Sequence, residues 1–181
     1  MPKIKLYSGK KPKLRPALLL HPNIPKPLHT MAPRTIKGKE WWDKKRQAAY
    51  EKANYYCMAC GVHKTEAKYH NWLEAHECYE IDYKKGTATF IEVVALCHSC
   101  HAYIHLGRLS MLLAGNKISE KMAKDIIRHG DRLIKKNKLK HPPEPTVIAD
   151  WADWLMIIGK KKYKGKFNSQ DEWEEYFIDG D

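Results

Sequence analysis

Two cysteine pairs carry the clearest chemical signal in this sequence. The first pair is Cys57 and Cys60, the second is Cys97 and Cys100, and two residues separate the members of each pair. A gap of two residues lets each pair approach one side of a metal ion on a tight turn, and zinc prefers four thiolates in a tetrahedral arrangement. The pattern therefore predicts a structural zinc site. A disulfide framework is the competing explanation, and it requires an oxidising compartment.

Three histidines suggest a second metal site beside the cysteines. His101 and His105 are four residues apart directly after the second pair, so they share one face of a helix, and two imidazoles at that spacing can bind one metal ion. His76 lies in a strand-like segment between the cysteine pairs, and cysteine turns that clamp this segment against the helix would bring it to the other two. The alternative is that all three are ordinary surface histidines. The remaining Cys78 is explained better as a packed thiol than as a ligand.

Hydrophobic periodicity and turn residues predict the elements that position these side chains. We predict a helix over 39–55, a hairpin with strands over 69–83 and 87–95, and helices over 99–113 and 119–136. Beyond the prolines of 142–145 the pattern predicts a short helix over 147–155 and strands around Gly159. These elements define an α+β protein.

The positive charge of the chain lies mainly outside this central region. The sequence has 181 residues and a formal net charge of +12, with 13 Lys+Arg against two acidic residues in residues 1–46. Residues 47–116 are nearly neutral, residues 117–166 are basic, and the last fifteen are acidic. We therefore divide the chain into a basic proline-rich arm (1–38), a central domain (39–115) and a C-terminal extension with a basic helix and an acidic tail (116–181).

Composition points to nucleic acid as the first partner to test, although the net charge is also compatible with acidic proteins or lipid headgroups, and it argues against a membrane protein. No run approaches the roughly 18 apolar residues of a spanning helix, and the apolar run at 17–20 is too short for a leader. We expect a soluble, cytoplasmic protein. Prolines exclude a continuous helix in the arm, which we expect to be extended and to contact phosphates, with a solvated basic tail as the alternative.

Three stretches of the central domain resemble the HNH endonuclease family. They read Cys-Met-Ala-Cys-Gly at 57–61, Leu-Glu-Ala-His-Glu at 73–77, and Leu-Cys-His-Ser-Cys-His followed by a second histidine at 96–105. The likeness covers about residues 40–115, and the lead-in at 33–43 looks like that of phage and bacterial members. The resemblance implies a small ββα-metal core with a four-cysteine zinc site. It also implies location in a bacterial or phage-infected cell.

The resemblance further implies metal-dependent hydrolysis of phosphodiester bonds in DNA. His76, His101 and His105 would hold a catalytic divalent ion (Zn²⁺, Ni²⁺, Mn²⁺ or Mg²⁺), and Glu77 stands where the family usually has its histidine general base. Shifting the alignment by one residue makes His76 the base but puts Ala75, which cannot bind metal, at the ligand position. The cations expected to contact DNA are Arg34, Lys37, Lys44, Lys45 and Arg46.

Two other functions are consistent with the sequence. The first is a zinc-stabilised nucleic-acid-binding module with impaired catalysis, which Glu77 and a second glutamate, Glu92, near the family's usual Asn, would favour. The second is a structural adaptor such as a phage assembly component, which would have no affinity for nucleic acid at moderate salt.

Overall fold

The protein is an α+β structure built on one four-stranded sheet. The computed structural model describes residues 9–178, and the sheet order is β1-β2-β3-β4. Strand β3 runs parallel to β2 and antiparallel to β4. The strands are β1 (Glu74–Asp82), β2 (Thr87–Leu96), β3 (Leu155–Ile158) and β4 (Lys161–Lys164). The α-helices among the described residues are α1 (Pro33–Lys37), α2 (Lys39–Lys52), α3 (His98–Ile104), α4 (Leu106–Ala114), α5 (Glu120–Lys136) and α6 (Gln170–Ile178).

The described chain divides into two compact units. The first is made from the segment up to Leu19 together with Arg46–His76 and Val94–Lys140, so it contains both cysteine pairs and helices α3 to α5. The second is made from Leu20–Lys45, Glu77–Val93 and the chain from His141 onward. Its core includes the buried side chains of Leu28, Tyr79, Ala88, Trp154 and Met156. No helix in the described part of the chain is long and apolar enough to cross a membrane.

The predicted hairpin is confirmed, with a later start than the sequence indicates. Strand β1 begins at Glu74 and not at residue 69, because the backbone of Tyr69 has a φ of 75°, which is incompatible with a strand. The turn between β1 and β2 is fixed where the amide of Lys85 donates to Asp82 Oδ1 at 2.9 Å. The predicted strands around Gly159 are also confirmed, as β3 and β4.

The helix predicted over 99–113 is in fact two helices. His105 has φ −102° and ψ 54°, so it leaves the helical conformation, ends α3 and precedes α4. The amide of Leu109 still donates to the carbonyl of His105 at 3.0 Å, which keeps the break to a single residue. Apolar spacing alone could not reveal this break, because the hydrophobic residues continue across it.

The prediction of an entirely extended arm is wrong for its described part. Short 3-10 helices occupy Pro16–Leu20 and Lys26–Leu28, and α1 follows with proline at its first position, where the missing N–H costs little. Leu18, Leu19 and Leu28 are buried, and that burial offsets the entropy of ordering the segment.

Helix α6 was not predicted, and only Trp151–Asp153 of the helix predicted over 147–155 forms a helical turn. Residues 1–8 of the arm and 179–181 of the acidic tail lie outside the described residues.

Helix α5 packs closely on α3 within the first unit. Ser119 caps its start by accepting a hydrogen bond from the amide of Met122. At Gly130 the two helices approach so closely that an added Cβ would lie 2.1 Å from the ring of Tyr103. The Tyr103 hydroxyl donates to Asp131 Oδ1 at 2.9 Å, so the ring is held where the glycine leaves room for it. The contact fixes α5 to the helix that carries Cys100 and His101.

Replacing Gly130 with alanine should therefore destabilise the protein. Although alanine favours a helix over glycine, the clash with Tyr103 should lower the free energy of unfolding by about 1–3 kcal/mol. Chemical denaturation measures this change. Gly107→Ala is the matched control, because nothing lies within 4 Å of a Cβ at that helical glycine, and it should be neutral or stabilising by up to about 1 kcal/mol. Equal effects of the two substitutions would contradict the close contact.

Candidate metal centres

Four cysteine sulfur atoms meet in one cluster in the first unit. The Sγ atoms of Cys57, Cys60, Cys97 and Cys100 all lie within 4.8 Å of one another, and the distance from Cys60 to Cys97 is 3.7 Å. All four cysteines are free of disulfides, and all but Cys60 are buried. Hydrogen bonds from the neighbouring thiols Cys100, Cys57 and Cys97 hold the pKa of Cys60 below its usual range. The cluster could hold a structural metal ion.

Backbone hydrogen bonds shape the first cysteine turn. The amide of Gly61 donates to the carbonyl of Cys57 at 2.8 Å, and Gly61 has a φ of 75°, a left-handed conformation that glycine adopts without strain. The amide of Met58 donates to the carbonyl of Ala95 at 2.9 Å, which ties this turn to the end of β2, just before Cys97. The cysteine pairs, far apart in sequence, are therefore joined by backbone contacts as well as by their sulfur atoms.

His129 on α5 also contacts the cysteine cluster. Its Nε2 lies 3.3 Å from the Sγ of Cys100, within the distance of an N–H···S hydrogen bond. A donor beside a thiolate stabilises negative charge on sulfur and helps to orient it. The sequence offered no local signal for this contact, because it depends on how α5 packs against α3.

The three predicted histidines form a second cluster. Possible ligand nitrogens of His76, His101 and His105 lie within 4.8 Å of one another. His76 is buried on β1, His101 lies on α3, and His105 is the residue at the break between α3 and α4. Their ring centroids are 4.8 to 5.5 Å apart. Three imidazoles converging in this way could bind one divalent ion and leave further coordination positions for other ligands.

Glu74 is a residue of this cluster that sequence reasoning missed. One carboxylate oxygen is 2.6 Å from Nδ1 of His98, and the other forms a short hydrogen bond with Nδ1 of His101. Burial by itself would raise the pKa of Glu74, but the hydrogen bonds with His101 and His98 outweigh it and hold that pKa well below the usual range. An ionised carboxylate only accepts hydrogen bonds, so both Nδ1 atoms must carry protons. In the neutral tautomer of His101 that this hydrogen bond selects, the lone pair is on Nε2.

A hydrogen bond explains the contact of Glu74 with His98 better than a shared metal ion does. The side chains of His70, Glu74 and His98 also lie within 4.8 Å of one another. Two ligands at about 2.0 Å from one tetrahedral ion would be about 3.3 Å apart, whereas the distance from His98 Nδ1 to Glu74 Oε1 is 2.6 Å. We therefore assign Glu74 an orienting role. The signal available in the sequence was its position two residues before His76, on the same face of the strand.

Glu77 lies in a different hydrogen-bond network. Its Oε1 accepts from the backbone amide of Arg34 at 3.0 Å, its Oε2 accepts from the hydroxyl of Tyr79 at 3.1 Å, and the guanidinium of Arg34 is 3.9 Å away. Burial, with the charge of Glu77 beside it, raises the pKa of Tyr79 well above its usual range. Successive side chains of a strand point to opposite faces, so Glu77 and His76 do not share a face of β1. The role of Glu77 as a base stays a prediction.

The cations expected to contact DNA lie on the first two helices. Arg34 and Lys37 are exposed on α1, and Lys44 and Lys45 are exposed on α2, where Arg46 is partly buried. Lys44 pairs with Glu40 at 2.8 Å, and Lys45 and Arg34 lie over the rings of Trp41 and Trp42. Their contact with DNA stays a prediction.

The fold and the cysteine cluster define an α+β protein with a potential structural metal site. No protein-family model, curated protein or solved structure matches this chain.

Removing one cysteine of the cluster should release the bound metal. Cys60→Ser is expected to lose the ion detected by elemental analysis of the purified protein. It should also lower the melting temperature by roughly 10 °C or more, because structural metal binding contributes several kcal/mol to folding. Ser110→Ala is the control, because Ser110 is exposed on α4 and belongs to none of the groups of possible metal ligands among the described residues, and it should keep the full metal content. Metal retained in Cys60→Ser at the level of Ser110→Ala would contradict the site.

Proposed function

We propose that this protein is an HNH-type endonuclease that hydrolyses phosphodiester bonds in DNA with a divalent metal ion, on a scaffold stabilised by zinc. The observation that carries the proposal is the convergence of His76, His101 and His105 beside the four-cysteine cluster. This convergence joins residues from a strand, a helix and a helix break. It fits the motif likeness of residues 57–105 to that family.

The geometry of the cysteine cluster supports zinc as the structural ion. Tetrahedral zinc with Zn–S bonds of about 2.3 Å separates its sulfur ligands by about 3.8 Å. The Sγ atoms of Cys60 and Cys97 are 3.7 Å apart, which agrees with that spacing. Four thiolates also favour zinc over calcium, magnesium or manganese, which prefer oxygen ligands.

The histidine cluster supports a role in phosphodiester hydrolysis. A divalent ion bound there would polarise a phosphate oxygen and stabilise charge on the leaving 3′ oxygen. His76 is held by burial on β1, and Glu74 orients His101 by fixing the proton on Nδ1. Neutral imidazoles suit zinc or nickel better than magnesium, which prefers oxygen ligands.

Glu77 is the proposed general base, in place of the histidine that the family usually has. Its two carboxylate oxygens have about four acceptor positions. The backbone amide of Arg34 and the hydroxyl of Tyr79 use two of these positions on the face of β1 opposite His76, so activity as a base requires that another position accept a water proton. Its side chain is only 6% exposed, so the attacking water would have to reach a nearly enclosed group.

The contacts of Glu77 also favour a second candidate function, a zinc-stabilised DNA-binding module without catalysis. A buried carboxylate that accepts hydrogen bonds from Arg34 and Tyr79 behaves like a structural group. Such a module would bind DNA, contain one zinc ion per chain, and show no rise in melting temperature when a second metal is added.

A cleavage assay separates the two functions. Supercoiled and linear DNA are incubated with the protein and Mg²⁺, Mn²⁺, Ni²⁺ or Zn²⁺, and nicked and cut products are quantified. His101→Ala should reduce cleavage by at least about 100-fold, because loss of even an outer partner of a metal ligand costs 10–100-fold. Glu77→Gln should reduce cleavage without weakening metal binding.

The control for the cleavage assay is His141→Ala, which removes an exposed histidine outside the cluster. Elemental analysis of protein dialysed without added metal should find the zinc of the cysteine cluster retained in all three variants. Cleavage by His101→Ala at the rate of His141→Ala would refute the assigned site. DNA binding without cleavage under any metal would establish the binding module instead.

Glu74→Gln should weaken binding of the second metal by about 10–100-fold, because the glutamine side chain cannot accept from both Nδ1 atoms with a full negative charge. Calorimetric titration with Mn²⁺ or Ni²⁺, on protein whose cysteine site is filled, measures this affinity. Glu74→Asp separates charge from geometry, since it keeps the charge but cannot span His98 and His101. Glu66→Gln, an exposed change in the same unit, is the control. Unchanged affinity in Glu74→Gln would rule out the orienting role.

A further inference from the structure

Helix α5 carries a stripe of exposed cations on the face opposite its buried side. The buried residues of the helix are Ala123, Ile126 and Gly130. At about 100° per residue, the cations fall within a sector of roughly 80° centred opposite those residues. An open groove of about 570 Å³ on this helix is lined by four of these cations together with Ile127 and Asp131. The cations that form the stripe are Lys121, Lys124, Arg128, Arg132 and Lys135.

The charge of this stripe is only lightly neutralised. Lys124 pairs with Glu120 at 3.0 Å on the exposed helix surface. Arg128 lies 3.4 Å from Asp125, whose carboxylate is partly buried and also pairs with Lys68 at 2.7 Å. Exposed pairs of this kind contribute little and are screened by salt, so a phosphate can replace the carboxylate. The other three cations of the stripe form no ion pair with any carboxylate in residues 9–178. Acidic residues flank the stripe and do not interrupt it.

The stripe is held in a fixed position relative to the metal-ligand candidates of the same unit. Gly130 packs against the ring of Tyr103, and the hydroxyl of that tyrosine donates to Asp131 on α5. His129 reaches Cys100 on α3. A ligand bound along α5 would therefore keep a constant position relative to α3, the helix that carries His101.

We propose that this stripe binds the phosphate backbone of DNA without reading its sequence. From Lys121 to Lys135 the helix is about 21 Å long, a distance over which one strand of B-form DNA presents about six phosphates. A row of positive charges of this length, about four helical turns, is complementary to several successive phosphates of a polyanion. The inference rests on DNA as the proposed partner, and it does not depend on whether the protein cuts DNA.

The test is the salt dependence of DNA binding by the full chain with its cysteine site filled and no second metal added. Fluorescence anisotropy with a labelled 30-base-pair duplex is measured from 50 to 300 mM KCl. The stripe variant is Arg128→Gln, Arg132→Gln, Lys135→Gln. The matched control is Lys117→Gln, Lys138→Gln, Lys140→Gln, which removes the same charge from exposed positions on either side of α5.

The stripe variant should lower the slope of log K against log salt by about 2.7, and should bind roughly 100–1,000-fold more weakly at 0.1 M salt, because three phosphate contacts are lost. The control should keep most of the salt dependence of the unmodified protein.

Equal losses of slope and affinity in both variants would show that only total charge matters and would overturn the proposal. An unchanged slope in the stripe variant would also overturn it. Stripe-dependent binding to phosphatidylserine vesicles without DNA binding would assign the surface to a membrane and overturn it too. DNA binding that depends on the stripe, in a protein that cuts no DNA, would support this surface while the nuclease proposal fails.

Discussion

The position of α3 is the constraint on which the first unit depends. The helix spans only His98–Ile104, and a helix of that length is not stable alone in water. Nevertheless its residues face three different neighbours, since Cys100 lies in the sulfur cluster, His101 contacts Glu74, and Tyr103 packs against α5. Tertiary contacts must therefore supply the stability that the short helix lacks. Among them, the convergence of the cysteine sulfurs joins the most distant parts of the sequence.

The hydrogen bonds of Glu74 connect the two ligand clusters. His98 lies between Cys97 and Cys100, and His101 is a member of the histidine cluster. The carboxylate of Glu74 therefore contacts one residue beside the cysteine cluster and one residue of the histidine cluster. Charge-assisted hydrogen bonds are stronger than neutral ones and restrict the rings that take part in them. A change at the cysteine cluster that moves α3 would consequently also change the orientation of His101. The structural and the proposed catalytic centres are thus mechanically linked through Glu74.

The sequence predicted those features that depend on local spacing. The cysteine cluster followed from two gaps of two residues, and the pairing of His101 with His105 followed from a separation of four. The partners of these residues could not be predicted in the same way. Glu74 could be recognised only after its strand face was known to carry His76, and the contact of His129 depends on the packing of α5.

The differences in secondary structure have equally specific causes. The helical hydrophobic pattern continues across His105 although the helix itself breaks there. Periodicity therefore predicted one helix where there are two. The arm was expected to be extended because of its prolines, but Pro33 sits at the first position of a helix, where proline is tolerated. Leu18, Leu19 and Leu28 of the arm are buried, which its charge and its prolines did not predict. In each case a tertiary contact or the position of one residue determined the structure, and the composition of the segment did not.

The net charge of +12 has a more specific meaning once the side chains of α5 are placed. Five cations of that helix lie on one face, while the segment that carries the histidine cluster is almost neutral. In the proposed reaction, contacts with phosphates far from the scissile bond bind substrate and transition state equally, so they lower KM and leave kcat unchanged. Interactions that strengthen only in the transition state must come from the metal and its ligands. The separation of charge from the histidine cluster therefore assigns affinity and rate to different residues, and the kinetic parameters of variants at the two places should change independently.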